Sequence, residues 1–563
     1  MTTTISRPTD ASSKASRRHV LEALSGLLLG MFVSMLASTV VSTSLPVIIH
    51  DLSGDQSSFT WVVTATLLTT AITTPIWGKL ADLTNRKVLY QLAIAIFVLA
   101  TAAAGFSQSP EMLIAFRAVQ GIGAGGLAAL SQVIMSDIIS PRERGRYMGL
   151  FGAVMAVATV GGPLLGGVIT DAWGWRWNFF VALPFAVAAL LIVQRTLHLP
   201  QRTPRKVSID YTGIVLLATA VSLLLIWVTL AGKSFDWWSL NTLFMVGGAV
   251  VATILFIVVE LRVREPLIPL TLFRNRTFTL AVIASIATGI AMFGASVYLS
   301  QYMQSARGAT PTEAGVMTIP MIAGLLVASM GVGALITRFG HWKPYLIAGG
   351  VLLTAGSALL STIHYDTPFA LVSVYMFLLG AGVGMTMQNL VLVVQNTSHP
   401  SEIGAASSGV TFFRSLGGTI GVSVMGAALA ARVTDLLTDR ADEVRTALAG
   451  LGAAGAQWAT QLSSGTLPQV SAMPEPLRVI FEDVYANGIS HAFLIAVPVA
   501  VLSVLAIVFL PNTPLTRMTT TERAHASEAD LATVSVPEAM ATLTATGAIA
   551  TPSSTPDAGD ERK

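Results

Sequence analysis

The chain has 563 residues, 53% of them hydrophobic and only 11% charged, with 48 glycines, 25 prolines, no cysteine and a formal net charge of +3. A charged fraction less than half the roughly 25% of soluble domains cannot cover a water-facing surface, which excludes the three or four soluble domains that roughly 150 residues each would allow. The lack of cysteine excludes disulfide scaffolds, thiolate metal sites and cysteine nucleophiles, and the small, scattered positive charge offers nucleic acid no footprint. What remains is an integral membrane protein.

A bilayer core about 30 Å thick is crossed by about 20 apolar residues in a helix. Fourteen such runs follow one another, centred on 21–46, 58–77, 88–107, 112–136, 146–170, 178–196, 211–231, 241–261, 278–302, 313–336, 345–363, 368–394, 404–430 and 488–510. They are continuous rather than alternating, so they predict helices and not a barrel. The first is too long for a cleaved leader and runs on into further spans. Lysine and arginine collect in alternate loops: Arg7, Lys14, Arg17 and Arg18 before the first run, Lys79, Arg86 and Lys87 after the second, Arg142, Arg144 and Arg146 after the fourth. The pattern continues with Arg195, Arg202, Arg205 and Lys206, then Arg262, Arg264, Arg274 and Arg276, then Arg338 and Lys343. Positive charge marks the cytoplasmic side, so both termini are predicted there, in the cytoplasmic membrane, with an even number of spans. Residues 431–487 form a long outer segment with helical patterning at both ends and an acidic, solvated face. Residues 513–563, rich in Thr, Ala, Ser and Pro, read as a disordered tail.

An offset of 259 residues places Gly121, Gly123 and Gly125 on Gly380, Gly382 and Gly384, and Pro141, Glu143 and Gly145 on Pro400, Glu402 and Gly404. With a few residues of slippage Gly78 falls on Gly333. The repeat joins runs 1–6 to runs 9–14 in the same orientation and leaves runs 7 and 8 as an insert. The expected division is an N-terminal tail 1–19, a six-helix half 20–197, a linker with two inserted helices 198–276, a second half 277–512 that includes 431–487, and the tail 513–563. Parallel halves with a site near the midplane between them are a transporter architecture.

The stretch GKLADLTNRK at 78–87 resembles the loop signature of the major facilitator superfamily, and so does RAVQGIGAG at 117–125. The run GGPLLGG at 161–167 resembles the antiporter signature of its exporters. WRWNFF at 175–180 and RSLGG at 414–418 are similar to the fourteen-helix drug/proton antiporters of the EmrB/QacA type. The resemblance covers nearly all of 20–512. It implies an all-α membrane protein of major facilitator fold, two parallel six-helix halves plus two extra inserted helices. It also implies proton-coupled efflux of amphiphilic drugs or antibiotics by alternating access, with a small-molecule substrate, protons and the lipid bilayer as partners, working as a monomer without cofactor or enzymatic activity. A dedicated exporter of one metabolite, amino acid or self-made antibiotic would use the same fold, and a membrane sensor or scaffold without transport is the remote alternative. No phosphate-binding Gly-x-x-x-x-Gly-Lys-(Ser/Thr) loop occurs that could serve an ATP motor.

Residue roles follow from these motifs. Asp82 and Arg86 lie at a span boundary where a charged pair can lock two helices, and Asp137 is the family-implied partner completing that relay. Asn85 stands where the family has glycine and is the next most tolerant residue of a left-handed turn. Gly161, Gly162, Pro163, Gly166 and Gly167 predict close helix approach with a hinge. An intramembrane arginine costs at least about 2.5 kcal/mol, so Arg117 should face the bundle interior and, by resemblance, assist proton exchange; Arg414 is similar but expected nearer the surface.

The family's span 1 aspartate is here Ala37, and no run carries an acidic residue near its middle. The remaining carboxylates lie towards run ends, at Glu22, Glu260 and Glu313, and Glu313 also completes a capping box with Thr310. Met31 and Met35, Trp61, Tyr298 and Gln301, and Gln388 and Asn389 recur at helical spacing and can line a substrate cavity with Arg414, although each stripe also suits helix packing.

Overall fold

The computed structural model describes residues 10–53, 56–140, 172–197, 210–231, 235–263, 265–309, 311–463, 470, 473–516, 518 and 522, with positions 143, 147, 151, 154, 157, 158, 161, 162, 165, 166 and 168–170. The helices are α1 (Asp10–Asp51), α2 (Gln56–Leu83), α3 (Arg86–Gly105), α4 (Pro110–Ile138), α5 (Trp177–Phe180), α6 (Ala182–Thr196), α7 (Tyr211–Leu230) and α8 (Leu240–Glu260). They continue as α9 (Arg276–Ser305), α10 (Pro311–Met317), α11 (Ile319–Phe339), α12 (Lys343–Leu360), α13 (Phe369–Thr397), α14 (Ile403–Asp439), α15 (Ala441–Gly450), α16 (Ala453–Ser463) and α17 (Glu475–Val508). Among the described residues the only strand-like pairing is an isolated bridge between Ala231 and Phe235.

Twelve helical segments of the described chain are long and apolar enough to cross a bilayer, and they overlay twelve of the fourteen runs. The second run lies in α2, several of whose side chains fall outside the described residues. Thr69, Thr73 and Thr74 return their hydroxyls to the carbonyls of Ala65, Thr69 and Thr70, so the polar groups are satisfied within the helix. The fifth run, 146–170, falls largely outside the described residues, as do 1–9, 198–209 and most of 513–563. Residues 431–487 continue the helices: α14 runs to Asp439, α15 and α16 follow, and α17 begins at Glu475. Leu477, Phe481 and Val484 are buried there, while Asp442 and Glu443 stay exposed.

Helix starts follow local chemistry. Ser109 accepts the Met112 N–H, with Pro110 in the first turn of α4. Asn85 corrects the left-handed expectation. Its φ is −72°, and its side chain accepts the N–H groups of Lys87 and Val88, capping α3. Gly340, 255 residues after Asn85, is left-handed with φ 73° and closes α11.

Glycine contacts set how the helices pack. A Cβ on Gly121 would lie 2.5 Å from the Thr66 carbonyl, one on Gly125 2.9 Å from that of Thr70, and one on Gly123 2.6 Å from the Phe97 nitrogen. Thus α4 packs on α2 through two glycines and on α3 through the third. In α13, Gly380 meets the Met321 carbonyl, Gly384 that of Leu325, and Gly382 the Leu353 nitrogen, so α13 packs the same way on α11 and α12. Each of these glycines accepts backbone where a methyl group would clash. One buried apolar cluster joins α1, α3, α4 and α6 (Leu24, Leu27, Tyr90, Phe97, Leu130 and Val193). Another joins α9, α12, α13 and α17 (Tyr302, Leu353, Met376, Leu379, Phe481 and Phe493).

Candidate functional site

The two bundles meet at one end of α2, α4, α13 and α14. Asp82, on the last turn of α2, projects to the start of α14. One of its carboxylate oxygens accepts the Gly404 N–H and the other the Ala405 N–H, both at 2.9 Å. These amides belong to the first turn of α14, whose N–H groups have no partner inside the helix and carry the positive end of its dipole. The geometry forces the contact: a Cβ on Gly78 would lie 2.8 Å from the Gly404 carbonyl. Arg86, at the start of α3, holds Asp82 at 3.2 Å and Asp137 of α4 at 2.5 Å, and donates its Nε–H to the Ala81 carbonyl at 2.8 Å. The three side chains are only 2%, 4% and 6% exposed (Arg86, Asp82 and Asp137). A pair desolvated to this degree holds only when most of its lone pairs and protons are used, which this one achieves.

The sequence singled out Asp82, Arg86 and Asp137, and the structure brings all three together. It did not identify Gly404 and Ala405 as the carboxylate's seat, although Gly404 was already marked by the repeat. Further along the same seam, the Gln132 side-chain amide of α4 donates to Gln388 Oε1 of α13 at 2.9 Å, and Gln395 donates to Ser407 Oγ at 2.7 Å. All four are buried. Gln388 therefore ties the two bundles, and its partner Gln132 was not foreseen.

Arg117 is buried in α4. Its Nε–H reaches the Val62 carbonyl at 3.4 Å and its NH1 group donates to Gln120 Oε1 at 2.7 Å; Gln120 in turn donates to Thr101 Oγ1 at 2.7 Å. Among the described residues its partners are neutral. Arg414, also buried, donates to the Met387 carbonyl at 3.3 Å. It lies eleven residues into α14, about 16 Å from the helix start at 1.5 Å per residue.

In the fifth run, a Cβ on Gly162 would run into Thr39, and one on Gly166 would lie 2.8 Å from the Val40 carbonyl, so both press on α1. Among the described residues nothing lies within 4 Å of a Cβ on Gly161; Pro163 and Gly167 lie outside the described residues. The WRWNFF motif acquires a physical account. Asn178 donates to Ser44 Oγ at 2.7 Å and Thr170 Oγ1 at 2.8 Å, and the Trp175 indole donates to Asp51 at 2.9 Å. It pins the start of α5 to the end of α1.

The remaining expected residues are dispersed. Glu313 is exposed on the first turn of α10, and Glu22 is half-buried in α1; Thr310 lies outside the described residues. Ala37 is buried in the apolar cluster of α1, α3, α4 and α6. Met31, Met35, Trp61 and Gln301 are half-buried. The Tyr298 hydroxyl donates to the Val422 carbonyl and Asn389 to the Met385 carbonyl, contacts within and between neighbouring helices. No group of three His, Cys, Asp or Glu side chains among the described residues is placed to hold a metal ion.

The profile of the family described as Major Facilitator Superfamily matches residues 27–422. The multidrug transporter protein MdtP of Bacillus subtilis is 35% identical over 427 residues, 76% of this chain and 78% of its own. Multidrug resistance protein 3 of the same organism is 31% identical, with 89% and 96% covered. The efflux pump dotC of Dothistroma septosporum is 30% identical, with 88% and 84% covered. In fold, the chain is similar to the crystal structure of the human organic anion transporter MFSD10, with a TM-score of 0.56 and 14% identity over 87% of this chain and 99% of that one. It is also similar to the proton:xylose symporter XylE, with a TM-score of 0.55 and 14% identity over 91% and 99%.

Proposed function

The chain belongs to the major facilitator superfamily, and from that premise we propose that it expels amphiphilic drugs or antibiotics across the cytoplasmic membrane in exchange for protons. The observation that carries the mechanism is the seat of Asp82 on the first turn of α14. A carboxylate of one bundle holds a helix of the other, so the seam opens only when that bond is broken. Alternating access follows: the seam stays closed on the inside while the cavity faces out, and it parts to load substrate. One proton entering through about 100 mV supplies roughly 2.3 kcal/mol, about a fortyfold substrate gradient at 1.4 kcal/mol per decade.

In this reading fourteen helices span the membrane. Residues 20–197 and 277–512 are the moving halves, 198–276 carries the insert, and both termini are cytoplasmic because the arginine- and lysine-rich loops are. Arg117, Glu313 and Glu22 serve proton exchange, the glycines at 161–167 form the hinge, and Met31, Met35, Trp61, Tyr298, Gln301, Gln388, Asn389 and Arg414 line the path of an amphiphilic substrate, the protein working as a monomer. The names of the relatives, a multidrug transporter and efflux pumps, support export over import. The test is proton flux in inside-out vesicles enriched in the protein, read with a pH-gradient dye against lipophilic cations and neutral antibiotics. Substrate-induced collapse of the gradient supports antiport. Substrate flux without collapse for any compound would remove proton coupling from the reading.

A further inference from the structure

The foot of the α7–α8 pair carries a buried acidic cluster separate from the lock on α2. Asp210 caps α7: Oδ1 accepts the Gly213 N–H at 2.8 Å. The residue is 9% exposed, and among the described residues its Oδ2 is buried with no hydrogen-bond partner. Glu260 closes α8, and its two carboxylate oxygens accept the N–H groups of Leu267 at 3.1 Å and Ile268 at 3.3 Å. A Cβ placed on Gly213 would lie 2.9 Å from Glu260 Oε1 and nearer still to Asp210 Oδ2. The two oxygens are therefore separated by less than twice that distance, and only glycine at 213 leaves room for the approach. Glu265, in the turn after α8, is bonded to Lys79 of α2 at 2.9 Å.

Among the described residues, the charged groups set around Glu260 are Asp210 and Lys79. Lys79 is already engaged by Glu265, so three carboxyls share one cation. Two buried carboxylates at this separation repel, and the repulsion is removed when one of them holds a proton. A buried Oδ2 without a partner also demands a bond to hydrogen.

We propose that Asp210 and Glu260 share one proton at the foot of the inserted helix pair. The proton sits on one of the two carboxyls and removes the repulsion between them, which lets the pair stay buried. Its release leaves two like charges beside Gly213. The site bears on the seam: Leu217, Val221 and Leu225 of α7 pack with Ile72 of α2 and Phe412 of α14, so the insert touches both bundles. This inference does not depend on the direction of transport.

The test uses dicyclohexylcarbodiimide, which modifies protonated carboxyls in apolar surroundings, on the full chain in lipid nanodiscs, with adducts mapped by mass spectrometry. The wild type should carry an adduct on Glu260 or Asp210 at about pH 6 that falls about tenfold or more by about pH 9. Asp210→Asn should lower labelling of Glu260 at about pH 6, and Glu260→Gln should lower that of Asp210, because an amide donates a hydrogen bond and carries no repelling charge. The wild-type titration stands even where a variant does not fold. No adduct on either residue, or an adduct insensitive to pH, would overturn the proposal. Labelling of Glu260 that is the same with and without Asp210 would also overturn it, since it would mark a lone desolvated carboxyl.

Discussion

Asp82 of α2 and Gly404 of α14 are 322 residues apart in the chain and 2.9 Å apart in space, carboxylate oxygen to amide nitrogen. With the Ala405 amide on its other oxygen and Arg86 behind it, this carboxylate holds the first turn of one bundle's helix to the last turn of the other's. Charged hydrogen bonds are worth about 1.5–3 kcal/mol each, and the helix dipole adds about 0.3–1 kcal/mol.

Asp82→Asn keeps the shape and one acceptor oxygen but removes the charge and places a donor against the α14 amides. Efflux should fall by about tenfold or more, for a loss of at least about 1.4 kcal/mol in the closed state. Protein yield and melting temperature should change little, because both bundles keep their own cores. Transport assays in vesicles at matched protein levels check this, and wild-type efflux in the variant would remove Asp82 from the gate.

Much of this was legible in advance because membrane helices announce themselves. Fourteen apolar runs, their basic loops and a 259-residue offset are properties of the chain, and the glycines found at that offset make matching contacts. The slippage near Gly78 has a physical origin. Thr66 and Met321, which meet Gly121 and Gly380, are offset by 255, as are Thr70 and Leu325, which meet Gly125 and Gly384, and as are Asn85 and Gly340. The second and eleventh helices are thus in one register and the fourth and thirteenth in another. The Asp82–Arg86–Asp137 triad was readable because its spacing resembles a known signature. The donor partners Gln132, Gly404 and Ala405 were not, because a backbone amide has no side-chain signal and a buried glutamine shows its partner only once two distant helices are placed side by side. Asn85 was misread because asparagine tolerates a left-handed turn and also caps helices, and only the backbone angle separates the two.

Gly123→Ala and Gly382→Ala should be costly in parallel. Each added methyl meets the backbone of the neighbouring helix, Phe97 in one case and Leu353 in the other, where no side chain can swing away. A destabilisation of about 1–3 kcal/mol is expected for each, as for other overpacked sites. Gly161→Ala, whose added methyl meets nothing among the described residues, should leave stability within about 0.5 kcal/mol of wild type. Thermal unfolding in detergent compares the three, and equal melting temperatures would mean the helices are not as close as described.

The Gln132–Gln388 bond calls for a double-mutant cycle. Either glutamine replaced by leucine leaves a buried amide without its partner, at about 1–3 kcal/mol, whereas replacing both should be closer to neutral. Transport rates and melting temperatures of the two single variants and the double variant give the coupling energy. Strict additivity would show that the two side chains do not meet in the working protein.

Ala37 removes the acidic residue that the family's span 1 pattern supplies, so proton exchange must use another carboxyl. Glu313 stands exposed at the start of α10, immediately ahead of the helix that matches α2 in register. Glu313→Gln should therefore abolish substrate-induced collapse of the pH gradient while leaving substrate binding within about threefold of wild type, since a neutral amide keeps the side chain's size and polarity. Binding and proton flux measured on the same vesicle preparation separate the two effects. Collapse that survives unchanged would exclude Glu313 as the coupling group and direct the same substitution to Glu22, which is half-buried in α1.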